Sequence, residues 1–150
     1  MSPVTAFTNL TVANGDKLAW GRRTYVMGVI NVTPDSFSGD GLGSDIPAIV
    51  EQALRLEAEG ADILDVGAES TRPGSAPITA EEELARLILA LETIVSRVSL
   101  PVSVDTYKAP VARRAIQAGA ALINDVWGLK ADPHIAEVAA EMGTPLILMH

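Results

Sequence analysis

Several patterns that define whole classes of protein are missing from this sequence. It contains no cysteine, which excludes a disulfide framework and a metal site built from thiolates. Its two histidines, His134 and His150, lie apart and outside any H-E-x-x-H pattern, so we expect no histidine metal site. No apolar run approaches the roughly 18 residues that span a bilayer, and no basic-then-apolar leader follows Met1. A cytoplasmic protein is therefore expected.

Positive charge is also scarce. The 11 basic and 19 acidic residues give a formal net charge of -8, which disfavours a general attraction to nucleic acid or an anionic membrane. We expect neither as a partner, and any anionic ligand must be held by local donors. The 150 residues are 48% hydrophobic, which is enough for the core of one domain.

The first 22 residues predict a hairpin. Two short alternating runs between Phe7 and Trp20 surround Asn14-Gly15, and Asn-Gly between such runs is a strong hairpin signal. We interpret residues 1–22 as a hairpin segment that covers one end of the domain formed by residues 23–150.

Strands and helices are predicted to alternate after the hairpin. Helix-period segments separate five apolar, β-rich runs, which begin at Tyr25, Ile63, Pro101, Ala121 and Pro145. Boundary signals support the four helices between these runs. Thr79 and Glu82 form a capping box, Asp132-Pro133 supplies an N-cap and a first-turn proline, and glycines stand at the expected C-caps. These glycines are Gly60, Gly119 and Gly143. The predicted buried face of the capped helix comprises Leu84, Leu87, Ile88, Leu91 and Val95.

This alternation predicts parallel strands covered by helices, and two architectures satisfy it. A doubly wound sheet would need a dinucleotide fingerprint, and the glycines of Gly39 to Gly43 have the wrong spacing for one. A TIM-type (β/α)₈ barrel fits better, because polar residues follow each of the first four strands. We expect residues 23–150 to be the first five strands and four helices of a barrel truncated at the C-terminus.

Polar residues at the strand ends are the candidates for function. Asn31 can coordinate a hard cation or donate to a phosphate. Asp105 ends a wholly apolar run, so its carboxylate needs a partner, and it can accept two parallel hydrogen bonds from a ring such as a 2-aminopyrimidinone. Asn124, one strand over, can complete that polar plane. Arg72 can make bidentate contacts with a phosphate or carboxylate, although a surface arginine in a turn is an equally ordinary interpretation.

Two further residues have structural interpretations. Asp65 lies within an apolar strand, which suggests a hydrogen-bonding role in the barrel interior rather than catalysis. Trp127 can stack on a flat ring or cover the barrel rim, and we favour the rim.

Four strand-end segments carry a more specific pattern than spacing alone: Met27 to Ser38 (MGVINVTPDSFS), Asp65 to Gly74 (DVGAESTRPG), Val104-Asp105-Thr106 and Ile123 to Val126 (INDV), in order along the chain. Together these segments closely resemble those of dihydropteroate synthases. The resemblance implies an N-terminal part of a pterin-binding barrel. The implied reaction is transfer of the dihydropterin group of 6-hydroxymethyl-7,8-dihydropterin pyrophosphate to p-aminobenzoate, with release of pyrophosphate in folate biosynthesis. Mg²⁺ would assist this departure, and the whole enzyme would be a homodimer.

The resemblance also implies roles for individual residues. Thr71, Asp105 and Asn124 would bind the pterin, and Asn31 would bind the metal and pyrophosphate. Two loops would form the p-aminobenzoate pocket, where sulfonamides compete in this family. They comprise Thr33, Pro34, Asp35, Ser36 and Phe37, and Ser70, Thr71, Arg72, Pro73 and Gly74.

Two alternatives remain open at this point. A methyltetrahydrofolate–corrinoid methyltransferase uses a similar barrel with a similar ring-binding aspartate and asparagine, but it resembles the first two segments less. The second alternative is a half-barrel that binds pterin without turnover.

Because a complete barrel needs about 250 residues, we expect the isolated 150-residue chain to be inactive. It should also associate through its unpaired first and fifth strands. Sizing chromatography and an assay for dihydropteroate would test both expectations. A monomer that melts cooperatively and turns over substrate would contradict them.

Overall fold

Seven strands and four helices are present in the computed structural model, which describes residues 10–11, 17–19, 23–32, 45–70 and 74–149. The strands are β1 (Leu10–Thr11), β2 (Lys17–Leu18), β3 (Met27–Asn31), β4 (Ile63–Gly67), β5 (Val102–Asp105), β6 (Leu122–Asp125) and β7 (Leu146–Leu148). The helices are α1 (Ile46–Ala58), α2 (Ala80–Val95), α3 (Ala109–Gln117) and α4 (His134–Met142).

The five longer strands form one parallel sheet in the order β3-β4-β5-β6-β7. Consecutive helices also pack side by side, α1 on α2, α2 on α3 and α3 on α4. A doubly wound sheet reverses its strand order and places helices on both faces. The unbroken order and the single row of helices are instead those of a barrel wall, which confirms the predicted fold class.

Successive residues along each strand point to opposite faces of the sheet. Ile30, Val66, Val104 and Ile123 are fully buried against the helices in the main hydrophobic core. Because successive side chains of a strand point to opposite faces, the neighbouring positions face the barrel interior. The apolar pattern of each strand therefore turns its intervening polar residues inward.

The N-terminal strands cover the amino ends of the sheet strands. β1 and β2 pair antiparallel, as the hairpin signal predicted, while residues 12–16 between them lie outside the described residues. Leu18 is buried in a second apolar cluster with Ile63, Ala121 and Leu122. This cluster lies where β4 and β6 begin, so one end of the inner face is apolar. The domain boundary at residue 22 stays a prediction.

The ends of α2 and α4 show how well local signals locate a helix. The capping box of α2 is present, since Glu82 N donates to Thr79 Oγ1 at 3.2 Å and Thr79 N donates to Glu82 Oε2 at 2.7 Å. The start of α4 differs from the prediction by one residue. Pro133 is the N-cap rather than the first helical residue, and Asp132 Oδ1 accepts from His134 N at 3.1 Å. Its other oxygen accepts from Ala109 N, so one carboxylate serves the starts of two helices.

The predicted buried face of α2 was partly wrong. Leu87 and Leu91 are fully buried as expected, but Leu84, Ile88 and Val95 are only partly buried. The other fully buried residues of the helix are Glu83, Ala90 and Ile94. The buried face of α2 therefore differs from the predicted one, because it includes Glu83. The positive charge of Lys108 compensates the buried carboxylate of Glu83. All three predicted C-cap glycines have a positive φ, but only Gly143 is itself the C-cap residue. Gly60 and Gly119 each lie one residue after the C-cap, which is Glu59 in α1 and Ala118 in α3.

Thr79→Ala should lower the free energy of unfolding by about 1 kcal/mol, the usual cost of losing an N-cap side chain. Urea denaturation of the chain would measure this change. The matched control is Thr93→Ala in the same helix, where the hydroxyl donates to Leu89 O inside the helix and caps nothing. The control should be neutral or slightly stabilising, because alanine is the better helix former. Equal losses in the two variants would contradict the capping assignment.

Candidate active site at the carboxyl ends of the strands

Three predicted site residues lie in one row across the inner face of the sheet. The register pairs Asn31 with Gly67, Gly67 with Asp105, and Asp105 with Asn124. Asn31, Gly67 and Asp105 are each the last residue of their strand, and Asn124 is the last but one of β6. Parallel strands place their carboxyl ends at one edge, so residues more than 90 positions apart in sequence lie in the same row there.

Gly67 makes room for Asp105. A Cβ atom at position 67 would lie 3.2 Å from Asp105 Cβ and 3.3 Å from Asp105 Oδ2. The Asp105 side chain therefore lies against the bare backbone of β4. This contact keeps the carboxylate within the row instead of above it.

The surroundings of Asp105 strongly disfavour the ionised form of its carboxyl group. Burial has the largest effect on its pKa, followed by the carboxylates of Asp65, Glu83, Asp125 and Glu69, and together they raise that pKa from 3.8 to about 7. No hydrogen bond or ion pair to another described residue satisfies it. The partner that the sequence required is thus absent from the described residues, and the carboxyl group is ready to accept hydrogen bonds from a ligand.

Asn124 is oriented by Asp65. Its Nδ2 donates to Asp65 Oδ2 at 2.9 Å, and both side chains are buried. Burial raises the pKa of Asp65, and the hydrogen bond from Asn124 opposes that rise. Because a carboxylate only accepts, the amide nitrogen must face Asp65 and the amide oxygen must face the other way. Asp65 has the structural role that its apolar surroundings predicted.

Asp105 and Asn124 together present acceptors to the interior. A flat ring that carries an amino group beside a ring N–H has the complementary edge. Such an edge would bind the ionised form of Asp105 and lower its pKa. The arrangement is therefore suited to recognising an amidine-like heterocycle.

Asp125, the next residue along β6, is occupied by its own turn. Its two oxygens accept from Trp127 N at 2.9 Å and Leu129 N at 2.7 Å. Trp127 is half-exposed and packs edge-on against Tyr107 with 6.1 Å between ring centroids. The rim position that we favoured for Trp127 from the sequence stays a prediction.

A second polar cluster was missed at the sequence level. Lys108, immediately before α3, contacts Glu69 after β4 and Glu83 in α2, and Tyr107 also donates to Glu69. The available signal was Glu83, which lies four residues before Leu87 on the buried face of α2. A carboxylate at such a position requires a cation.

Several predicted loop residues have no structural outcome. Ser70 and Gly74 are exposed on either side of residues 71–73, and Ser75 Oγ donates to Ser70 O at 2.5 Å. The remaining predicted loop residues, Thr33, Pro34, Asp35, Ser36, Phe37, Thr71, Arg72 and Pro73, lie outside the described residues, as does His150. In the described part of the chain, no helix is long and apolar enough to cross a membrane.

Comparison with known proteins places this geometry in context. A family model described as "Pterin binding enzyme" matches residues 27–150. The dihydropteroate synthase of Clostridium beijerinckii is 51% identical over 130 residues, which are 87% of this chain and 48% of that protein. The chain spans about half the length of the curated relatives it matches.

Solved structures give the same result. Dihydropteroate synthase of Xanthomonas albilineans with 4-aminobenzoic acid superimposes with a TM-score of 0.82 at 48% identity, over 91% of this chain and 49% of that one. The same synthase in complex with 7,8-dihydropteroate gives a TM-score of 0.74 at 45% identity, over 86% of this chain and 46% of that one.

Asp105→Asn should stabilise the chain at pH 8. The folded-state pKa of Asp105 lies above its ordinary value, so the folded chain binds this proton more tightly than the unfolded chain does. The free energy of unfolding therefore falls as pH rises from about 4 to about 7. Removing the charge should raise it by about 1–3 kcal/mol at pH 8 and leave it nearly unchanged at pH 4.

Urea denaturation at the two pH values would measure this difference. Asp62→Asn is a control of opposite sign, because the hydrogen bond from Arg23 holds the pKa of Asp62 below its ordinary value. That variant should lose stability at pH 8. Destabilisation of Asp105→Asn at pH 8 would contradict the electrostatic description.

Proposed function

The chain belongs to the pterin-binding enzyme family, and on that premise we propose that it supplies the pterin-binding half of a dihydropteroate synthase. The proposed reaction joins 6-hydroxymethyl-7,8-dihydropterin pyrophosphate to p-aminobenzoate and releases pyrophosphate and 7,8-dihydropteroate. The observation that carries the proposal is the acceptor pair of Asp105 and Asn124, set in one row at the strand ends.

The ring is recognised by hydrogen-bond type. The 2-amino group and adjacent N–H of a pterin donate, whereas Asp105 and the amide oxygen of Asn124 accept. Asp65 fixes the amide of Asn124, so the pair does not have to reorganise when the ring binds. Gly67 leaves space for the carboxylate to lie in the plane of the row.

Asn31 is suited to the diphosphate end of the same substrate. It is exposed at the end of β3, and its amide oxygen is a hard ligand of the kind that Mg²⁺ accepts. Among the described residues no group of three or more histidine, cysteine, aspartate or glutamate side chains is suited to a metal ion. One amide oxygen is nevertheless compatible with Mg²⁺, which commonly binds one or two protein groups together with substrate phosphates and water. When bound, the ion would neutralise charge on the departing pyrophosphate.

The residues of this chain contribute to the reaction by positioning. Asp105 and Asn124 fix the ring, and Asn31 lies in the same row, on the far side of Gly67. The exocyclic carbon is then presented to the aniline nitrogen as pyrophosphate leaves. The roles of Ser70 and Gly74 in the p-aminobenzoate pocket stay predictions, as do those of Thr33–Phe37 and Thr71–Pro73.

The solved relatives with 4-aminobenzoic acid and with 7,8-dihydropteroate support both substrates. The proposed assembly is a homodimer, as the sequence resemblance implies, and the cytoplasmic location stays a prediction. The two alternatives, corrinoid methyl transfer and binding without turnover, are outcomes of the same assay.

The test protein joins residues 1–150 to the C-terminal half of the Clostridium beijerinckii synthase. With both substrates and Mg²⁺ it should release dihydropteroate, and EDTA should abolish turnover. Asp105→Asn should lower kcat/KM for the pterin substrate about 100-fold, because a hydrogen-bonded charge is lost. Wild-type kcat/KM should rise between pH 6 and pH 8, as Asp105 with a pKa of about 7 becomes ionised.

Asp62→Asn, away from the strand-end row, is the control and should keep the wild-type activity. Pterin binding without turnover would favour the binding-only alternative. Demethylation of methyltetrahydrofolate by a corrinoid would favour the methyltransferase. If this fusion of the two halves does not bind pterin, the proposed function is wrong.

A further inference from the structure

Four residues from three segments form a buried polar cluster beside the strand-end row, which we call the Lys108 clamp: Glu69, Glu83, Tyr107 and Lys108. Lys108 Nζ contacts Glu69 Oε2 and lies 2.6 Å from Glu83 Oε2. The side chains of Lys108, Glu69 and Glu83 are 15%, 8% and 1% exposed. Removing three ions from water is costly unless each is paired, so these contacts fix the three segments relative to one another.

Glu69 is the centre of the clamp. Its Oε2 contacts Lys108, while its Oε1 accepts from Tyr107 Oη at 2.9 Å and from Ile78 N at 3.2 Å. Glu69 follows β4, and Ile78 immediately precedes the N-cap of α2. One carboxylate therefore joins the two flanks of the β4–α2 connection, residues 68–70 and 74–79.

The clamp also sets the distance from this connection to Asp105. Tyr107 and Lys108 follow Asp105 by two and three residues, and Glu69 follows Gly67 by two. Gly67 and Asp105 are register partners in contact. Both side chains that contact Glu69, Tyr107 and Lys108, thus come from the segment that directly follows Asp105.

We propose that the Lys108 clamp is a positioning device for the second substrate, which holds the flanks of the β4–α2 connection at a fixed place beside Asp105. The proposal rests on the proposed function, in which this connection serves p-aminobenzoate. Loss of the clamp should weaken the use of p-aminobenzoate and spare the use of the pterin substrate. A general loss of folding would affect both.

Tyr107→Phe and Glu69→Gln are near-isosteric variants that weaken the clamp without opening a cavity. In the fusion, each should raise KM for p-aminobenzoate about 5–20-fold, as expected for one lost hydrogen bond to a charged group. The KM for the pterin substrate and kcat should stay within about twofold. Measurement at pH 8.5 keeps Asp105 ionised, so that altered charge at Glu69 does not act through it.

Lys108→Arg keeps the positive charge and should retain more of the p-aminobenzoate affinity than Lys108→Met. Glu141→Gln breaks the exposed Arg113–Glu141 ion pair and should change nothing. An unchanged KM for p-aminobenzoate in Tyr107→Phe and Glu69→Gln would overturn the proposal. An equal decline of both KM values and kcat would also overturn it.

Hydrogen exchange separates this proposal from the proposed function. In the 150-residue chain, Glu69→Gln should speed exchange of the Ile78 amide and leave the β5 amides unchanged. If the wild-type fusion is inactive, the proposed function fails, yet faster exchange confined to Ile78 would still support the clamp. Unchanged exchange at Ile78 would overturn it.

Discussion

Carboxylates crowded at the ends of parallel strands are the constraint on which the rest of this structure depends. Each carboxylate is accommodated differently. Asp65 accepts from an amide, Asp125 accepts from two backbone N–H groups of its own turn, and Glu69 and Glu83 share one lysine. Of these carboxylates, Asp105 alone has no partner among the described residues, and its pKa of about 7 reflects its burial first and then the charges around it. One buried oxygen of Asp65 and one of Glu83 also lack a hydrogen-bond partner, but each of these side chains is held through its other oxygen. Asp105, which has no such contact with a described residue, is therefore the natural acceptor for a ligand.

The alternation of apolar and polar residues along the strands places the polar side chains at one edge of the sheet. Apolar residues that face the helices anchor each strand, and the intervening positions deliver Asn31, Asp105 and Asn124 to the same edge in register. The amino ends of the strands are closed by the apolar cluster around Leu18, so the inner face is apolar at one end and polar at the other. The polar end is the carboxyl end of the strands, which is where barrel enzymes hold their substrates.

The sequence predicted much of this because the relevant signals are local. Strand runs, the Thr79 capping box and the polar residues that end the strands are each readable within a few positions, and the observed elements follow them closely. Signals that depend on distant partners were missed. Glu83 is turned inward by Lys108, 25 residues away, which rotates the buried face of α2 from the one that apolar spacing alone predicts. The start of α4 shifted for a similar reason, since Asp132 also serves α3.

Gly67 shows that a recognition site can depend on an atom that is missing. Its φ is not in the left-handed region, so glycine is not required there by backbone conformation. The requirement is space, because even one methyl group would press on the Asp105 carboxylate at 3.3 Å. The methyl group of an alanine at position 67 would displace the Asp105 carboxylate by a few tenths of an ångström, while the β4 and β5 strands kept their pairing. Glycine at position 67 is therefore favoured by the space that the Asp105 side chain occupies and not by backbone conformation.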